Sequence, residues 1–213
     1  MHVELITIGD ELLLGFTIDT NAAHLARELA AVGIQVTRRA TVGDAAEEIA
    51  AAVRDALDRT GAVITTGGLG PTSDDLTKPA IAALFGRGMH EDAEHVAWMR
   101  ERWRTLFGAA MPEVNRQQAM IPEGARKLVN RHGSAPGIWL EDDRGRWVAM
   151  LPGVPREMRG MLGDVLLPLL HERARAEGGG GGEGGATVVL SRTLRTTGIG
   201  ESKVAEVLGE LAK

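Results

Sequence analysis

The feature that most constrains this chain is an alternation in its first 80 residues. Short apolar runs that break off at glycine and an acid alternate with stretches of helical periodicity. Val3–Ile8 stops at Gly9-Asp10, Ile34–Ala40 is followed closely by Gly43-Asp44, and Ala62–Thr66 runs into Gly67-Gly68-Leu69-Gly70-Pro71. The first has the pattern of a strand buried in a parallel sheet, the third is short and β-branched, and Ile34–Ala40 reads as a second strand. Between them, Ala22, Leu25, Ala26, Leu29 and Val32 repeat on one helical face that Gly33 ends. Ile49, Val53, Ala56 and Leu57 do the same up to Gly61. Asp44 with Glu47 three residues on has the spacing of a capping box. A third helix is expected from about Thr77, with Pro79 in its first turn. The order β-α-β-α-β-loop-α predicts an α/β fold with a mostly parallel central sheet and helices on both faces. Right-handed crossovers then bring all three strand exits to one edge, where ligands bind in open α/β sheets.

Farther on, a charged helix is expected over Glu91–Leu106. A hairpin should join strands 137–141 and 146–151 across Glu141-Asp142-Asp143-Arg144-Gly145, and a helix should run from Pro155 to about Leu170. Met150, Met158 and Met161 read as core. Residues 178–185 are seven glycines and one glutamate, a flexible linker by composition. A strand over Thr187–Leu194 and a helix over Glu201–Leu211 follow. The expected division is a domain over 1–170, a linker over 171–185, and the start of a truncated second domain over 186–213.

Composition narrows the function. A net charge of −5 argues against a nucleic-acid binder, which needs a basic footprint. The absence of cysteine removes disulfides and thiolate metal sites. Neither a signal peptide nor a membrane-spanning run is found, so a cytoplasmic location is expected. The 28 glycines favour sites built from backbone.

Three loops carry the candidate chemistry. Gly9-Asp10-Glu11-Leu12-Leu13-Leu14-Gly15 leaves strand one and projects Glu11 over the sheet edge. Gly67-Gly68-Leu69-Gly70-Pro71-Thr72-Ser73-Asp74-Asp75-Leu76-Thr77-Lys78 can offer N–H donors to a phosphate. It is neither a Walker A loop nor a dinucleotide fingerprint. Its acids, Asp74 and Asp75, repel phosphate unless a divalent cation intervenes or they serve as bases. With Asp44 at the exit of strand two, the topology gathers Glu11, Asp44 and Asp75 at one rim. There they are expected to act as catalytic residues and to hold Mg²⁺, Mn²⁺ or Co²⁺, with K⁺ a further candidate ion. Gly67, Gly68, Gly70, Thr72 and Asp74 are the expected nucleotide-phosphate loop. Lys78 and Arg116 are candidate stabilisers of a leaving phosphate, and Asn115, Arg116 and Gln118 candidate readers of sugar or phosphate. Gly133, Ser134 and Gly137 could admit a ribose closely. Gly153 and Pro155 open a helix whose N-terminus attracts anions.

Together GDELLLG with Thr20-Asn21, VGD at 42–44, TGGLGPTSDDLTK at 66–78, NRQQA at 115–119, PEGA at 122–125, GSAPG at 133–137 and LPGVPREM at 151–158 resemble the competence/damage-inducible CinA family. The resemblance is to its N-terminal domain, of the molybdopterin-binding fold. It implies a three-layer α/β sandwich shared with molybdopterin-adenylating and molybdenum-inserting enzymes, in which Glu11, Asp44 and Asp75 match the acidic set. For domains of the CinA type it implies metal-dependent hydrolysis of ADP-ribose to AMP and ribose 5-phosphate. The expected partner is a small nucleotide, and the expected assembly a homo-oligomer. Molybdopterin binding or adenylyl transfer, and a non-catalytic nucleotide-binding module, stay open as alternatives. Family members often carry a C-terminal nicotinamide-mononucleotide deamidase domain. That activity is not expected of these 213 residues.

Overall fold

The computed structural model describes residues 1–177, 195 and 197–209. The chain runs β1 (His2–Ile8), α1 (Asp10–Leu13), α2 (Thr20–Ala31), β2 (Gln35–Val42), α3 (Ala46–Thr60), β3 (Ala62–Thr66) and α4 (Thr77–Leu84). Next come β4 (Met89–Glu91), α5 (Ala93–Phe107), a 3₁₀ turn (Glu113–Ala119), β5 (Met120–Pro122), β6 (Arg126–Leu128), β7 (Gly137–Glu141) and β8 (Trp147–Leu151). A long helical arm closes the domain: α6 (Pro155–Met161), a π-helical turn (Leu162–Leu166) and α7 (Leu167–Glu177). α8 (Glu201–Leu208) is a separate helix with no buried residue.

The six-stranded sheet has the order β2-β1-β3-β8-β7-β6. The first four strands are parallel; β7 and β6 continue it antiparallel. Alternation along each strand divides the core in two. Val3, Leu5 and Ile64 face α2 and α6, packing with Leu25, Leu29, Met158, Met161 and Leu166. Ile6, Ile8 and Val63 face the opposite way, against Ile49, Val53 and Leu57 of α3 and Ile81 of α4. Met150, Met158 and Met161 are fully buried. Glu4 is the one acid among the buried residues of β1. A lone buried carboxylate would be costly, but Arg59 of α3 donates to both its oxygens, at 2.7 and 2.8 Å. The expected hairpin forms, with Trp139 and Trp147 stacked at 4.2 Å across it.

Register decides where the chain leaves the sheet. Ile8 pairs with Val42, Thr7 with Thr66, and Thr66 with Leu151. The exits at Gly9, Gly43, Gly67 and Pro152 therefore lie along one rim.

Two expectations need correction. Asp44 does not cap α3: the N-cap is Ala45, without a side-chain bond, and Asp44 is engaged with Asp10. Residues 171–177 belong to α7 and not to a linker. The 113–119 segment is a 3₁₀ turn leading into β5, which pairs antiparallel with β4 in a short ribbon that periodicity did not signal. The glycine run at 178–185 and the strand expected over 187–194 lie outside the described residues.

Two side chains fix α4 to its surroundings. Thr77, fully buried, donates from Oγ1 to the Gly67 carbonyl at 2.9 Å. Lys78, 1% exposed, donates from Nζ to the carbonyls of Gln117 and Gln118, both at 2.9 Å. Burial lowers its pKa to about 8, against a smaller opposing pull from Asp75.

Lys78 thus loses its proton in the folded protein at a lower pH than in the unfolded chain. Its charged form costs stability below about pH 8, and that cost fades as the pH approaches the ordinary lysine value. The neutral amine still has two N–H groups for the two carbonyls. Urea unfolding should show the stability difference between wild type and Lys78→Met growing in favour of wild type by on the order of 3 kcal/mol from about pH 7 to 10.5. A flat difference would contradict the lowered pKa. A second prediction concerns Gly67, at φ +115°, where a β-carbon would stand 2.1 Å from the Ile8 carbonyl oxygen. Gly67→Ala should cost about 2 kcal/mol or more. Gly86→Ala, at φ +64° in open space, should cost about 1 kcal/mol. Equal losses would mean that backbone strain alone, and not the approach to Ile8, sets the requirement.

Candidate active site

The rim encloses a cavity of about 460 Å³. Its floor has no side chains where β3 and β8 end, because Gly67 and Gly153 face each other there. A β-carbon on Gly153 would stand 3.2 Å from the Gly67 Cα. Asn21, on α2, donates to the Gly153 carbonyl at 2.7 Å and to Thr66 Oγ1 at 3.3 Å, and Thr66 donates to the Pro152 carbonyl at 2.8 Å. Asn21 is a positioning residue whose role the sequence reading passed over.

The glycine loop is shaped by its own acid. Asp75 accepts from the Gly70 amide at 2.7 Å, from the Thr72 amide at 2.8 Å and from Thr72 Oγ1 at 2.6 Å. Gly67 donates to the Leu151 carbonyl. The amides of Gly67, Gly70 and Thr72 are therefore spent inside the protein. Those of Gly68, Leu69 and Gly153 have no acceptor among the described residues. Asp44 and Asp10 exchange bonds, each carboxylate accepting from the other's amide at 3.0 and 3.3 Å.

Of the residues singled out from the sequence, Glu11, Asp44, Gly67, Gly68, Gly70, Thr72, Asp74, Asp75 and Gly153 line this one cavity, together with Gln118. Gln118 is 7% exposed and its Oε1 has no hydrogen-bond partner. Such an orphan acceptor is uncommon in a folded protein. Asn115, Gly133 and Ser134 line a second, smaller cavity. Lys78 faces the wrong way to meet a phosphate, since it is buried under the 3₁₀ turn. Arg116 is held by Glu91 at 2.8 Å through two bonds and by Glu113 at 3.2 Å, which raises its pKa further. Gly137 is a packing position, where a β-carbon would meet Met161 at 2.5 Å. Pro155 is the first residue of α6 and borders neither cavity.

Acids dominate the larger cavity. Glu11, Asp44, Asp74, Asp75 and Glu157 line it, and none of its lining residues is Lys, Arg or His. A bare polyanion would be repelled. The all-oxygen donor set suits a hard cation, which commonly takes one or two carboxylates and completes its shell from water and phosphate. A cage made of protein alone is another matter. Among the described residues no group of three or more His, Asp or Glu is placed to hold a metal ion. The three-acid metal cluster expected of Glu11, Asp44 and Asp75 is not assembled, because Asp75 turns onto its loop and Asp44 onto Asp10.

Residues 4–172 match the family model described as a probable molybdopterin binding domain. A CinA-like protein of Gemmatimonas aurantiaca is 68% identical over 213 residues, covering 100% of this chain and 48% of that protein. One from Frankia casuarinae is 46% identical over 214 residues, covering 99% and 47%. The chain thus spans about half the length of the curated relatives it matches. The solved structure of the protein CinA with unknown function from Thermoplasma acidophilum superimposes with a TM-score of 0.72 at 35% identity, covering 79% of this chain and 97% of that one. The molybdopterin biosynthesis enzyme MoaB of Thermus thermophilus, at 24% identity and a TM-score of 0.53 over 80% of this chain and 92% of its own, shares the fold. Among the described residues no helix is long and apolar enough to cross a membrane. With the family model matched over most of its length and CinA superimposed on it, the chain belongs to the molybdopterin-binding-domain family and stands among its CinA-like proteins.

Proposed function

We propose that the rim cavity binds a nucleotide diphosphate of the ADP-ribose kind and hydrolyses its pyrophosphate bond. One observation carries this reading: five acidic residues and three residues with unspent amides line a single cavity that no basic residue lines. Amides of that kind suit phosphoryl oxygens, and the acids demand a countercharge, which a substrate carrying its own divalent cation supplies. Mg²⁺, Mn²⁺ or Co²⁺ bound with the diphosphate would neutralise phosphoryl charge and acidify an attacking water.

The chain's own residues have separable tasks. Gly68, Leu69 and Gly153 offer amides to the diphosphate. Asp75 holds the loop that presents the first two. Asp44 fixes the Gly9–Glu11 turn through Asp10. Glu11 makes no side-chain hydrogen bond to a described residue, so its carboxylate is available to accept a proton from water.

The test is a screen of ADP-ribose, NAD and FAD with each divalent ion. ADP-ribose should yield AMP and ribose 5-phosphate. Glu11→Gln should lower turnover by about 100-fold or more while leaving the melting temperature unchanged. Unaltered turnover in that variant would remove Glu11 from the chemistry. Nucleotide that raises the melting temperature without product would mean a binding module. Adenylylated molybdopterin formed from ATP and molybdopterin would favour adenylyl transfer instead.

A further inference from the structure

The second cavity, of about 200 Å³, adjoins the first through one side chain, Glu157 of α6, which lines both. Its lining is mostly apolar and aromatic, with Arg102 on one side. Met99 and Met111 are buried in its wall, and Trp103 and Phe107 of α5 stand over it with ring centroids 4.6 Å apart. Asn115 gives it a polar edge.

Glu157 is held at the junction. Asn130, itself 6% exposed, donates to Glu157 Oε2 at 2.6 Å and to the Ala135 carbonyl at 2.8 Å. Gly133 lies so close that a β-carbon there would fall 1.9 Å from the Glu157 carboxyl. The Ser134 carbonyl is tied to His95 Nε2 at 2.9 Å. One carboxylate oxygen is thus engaged by the protein, and Oε1 has no such bond.

An anion site, a fixed carboxylate and an aromatic cavity follow one another in that order. A nucleotide has the same order: phosphate, a ribose diol whose hydroxyls donate well to a carboxylate, and a planar base that stacks on aromatic rings. We infer that the second cavity takes the base of the nucleotide and that Glu157 accepts from the ribose hydroxyls, so that the protein reads a ribonucleotide and not merely a diphosphate. This rests on the nucleotide-diphosphate reading of the first cavity and adds the direction in which the substrate lies.

Calorimetric titration in Mg²⁺ with pyrophosphate, ADP and 2′-deoxy-ADP tests it. The wild type should bind ADP more tightly than pyrophosphate and about tenfold more tightly than 2′-deoxy-ADP. Trp103→Ala should weaken ADP about tenfold or more and leave pyrophosphate unchanged. Glu157→Gln, which keeps an acceptor for Asn130, should bring ADP and 2′-deoxy-ADP to equal affinity, whatever the loss of one carboxylate from the first cavity does to pyrophosphate. That loss of sugar discrimination does not depend on Trp103→Ala folding. Wild-type affinities for ADP and pyrophosphate that are equal, or a sugar preference intact in Glu157→Gln, would overturn the inference while leaving the anion site standing. Failure of the wild type to bind pyrophosphate would overturn the reading of the first cavity, and this one with it.

Discussion

Lys78 joins parts of the molecule that are far apart in sequence. It sits on the second residue of α4, directly after the glycine loop, and its ammonium reaches the last carbonyls of the 3₁₀ turn some forty residues on. An amine of that length is costly to bury, and the two carbonyls are what make its burial tolerable. Gln118 lies on the same turn and lines the rim cavity, so the lysine ties that turn to the helix that follows the glycine loop. Thr77, at the neighbouring position, holds the Gly67 carbonyl.

Charge in the site follows from a division of labour among the acids. Asp75 and Asp44 spend their oxygens on amides of nearby turns, so each stabilises a loop that would otherwise have unpaired donors. That service accounts for two of the five acids at the rim, and among the described residues it leaves no group of three placed to hold a metal ion. The carboxylates remain as a field that favours a cation-bearing ligand over a bare one.

Much of this was legible in the sequence. Alternating apolar runs and helical stripes located β1, β3, α2 and α3, because a strand buried on both faces and a helix buried on one leave different periodicities. Register then brought Glu11, Asp44, Asp75 and Gly153 to one rim. What could not be read were directions. Nothing in the order of residues tells that Lys78 points inward, that Arg116 is taken by Glu91, or that Asp44 turns to Asp10 and not to α3. Those depend on contacts between residues tens of positions apart. The β4–β5 ribbon escaped for another reason: at three residues a strand it is too short to show a period. Glu157 stood in a recognised motif, but its position between two cavities is a property of space alone.

The bare floor at Gly67 and Gly153 has a further consequence. Both strand ends meet there as bare backbone, so the floor of the cavity is written into the sheet itself and tolerates little alteration. The walls come from elsewhere, from α5, the 3₁₀ turn and the 130–136 loop, which hang on the sheet by a few bonds. Substitutions in those walls can alter the shape of the cavities while the floor below stays as it was.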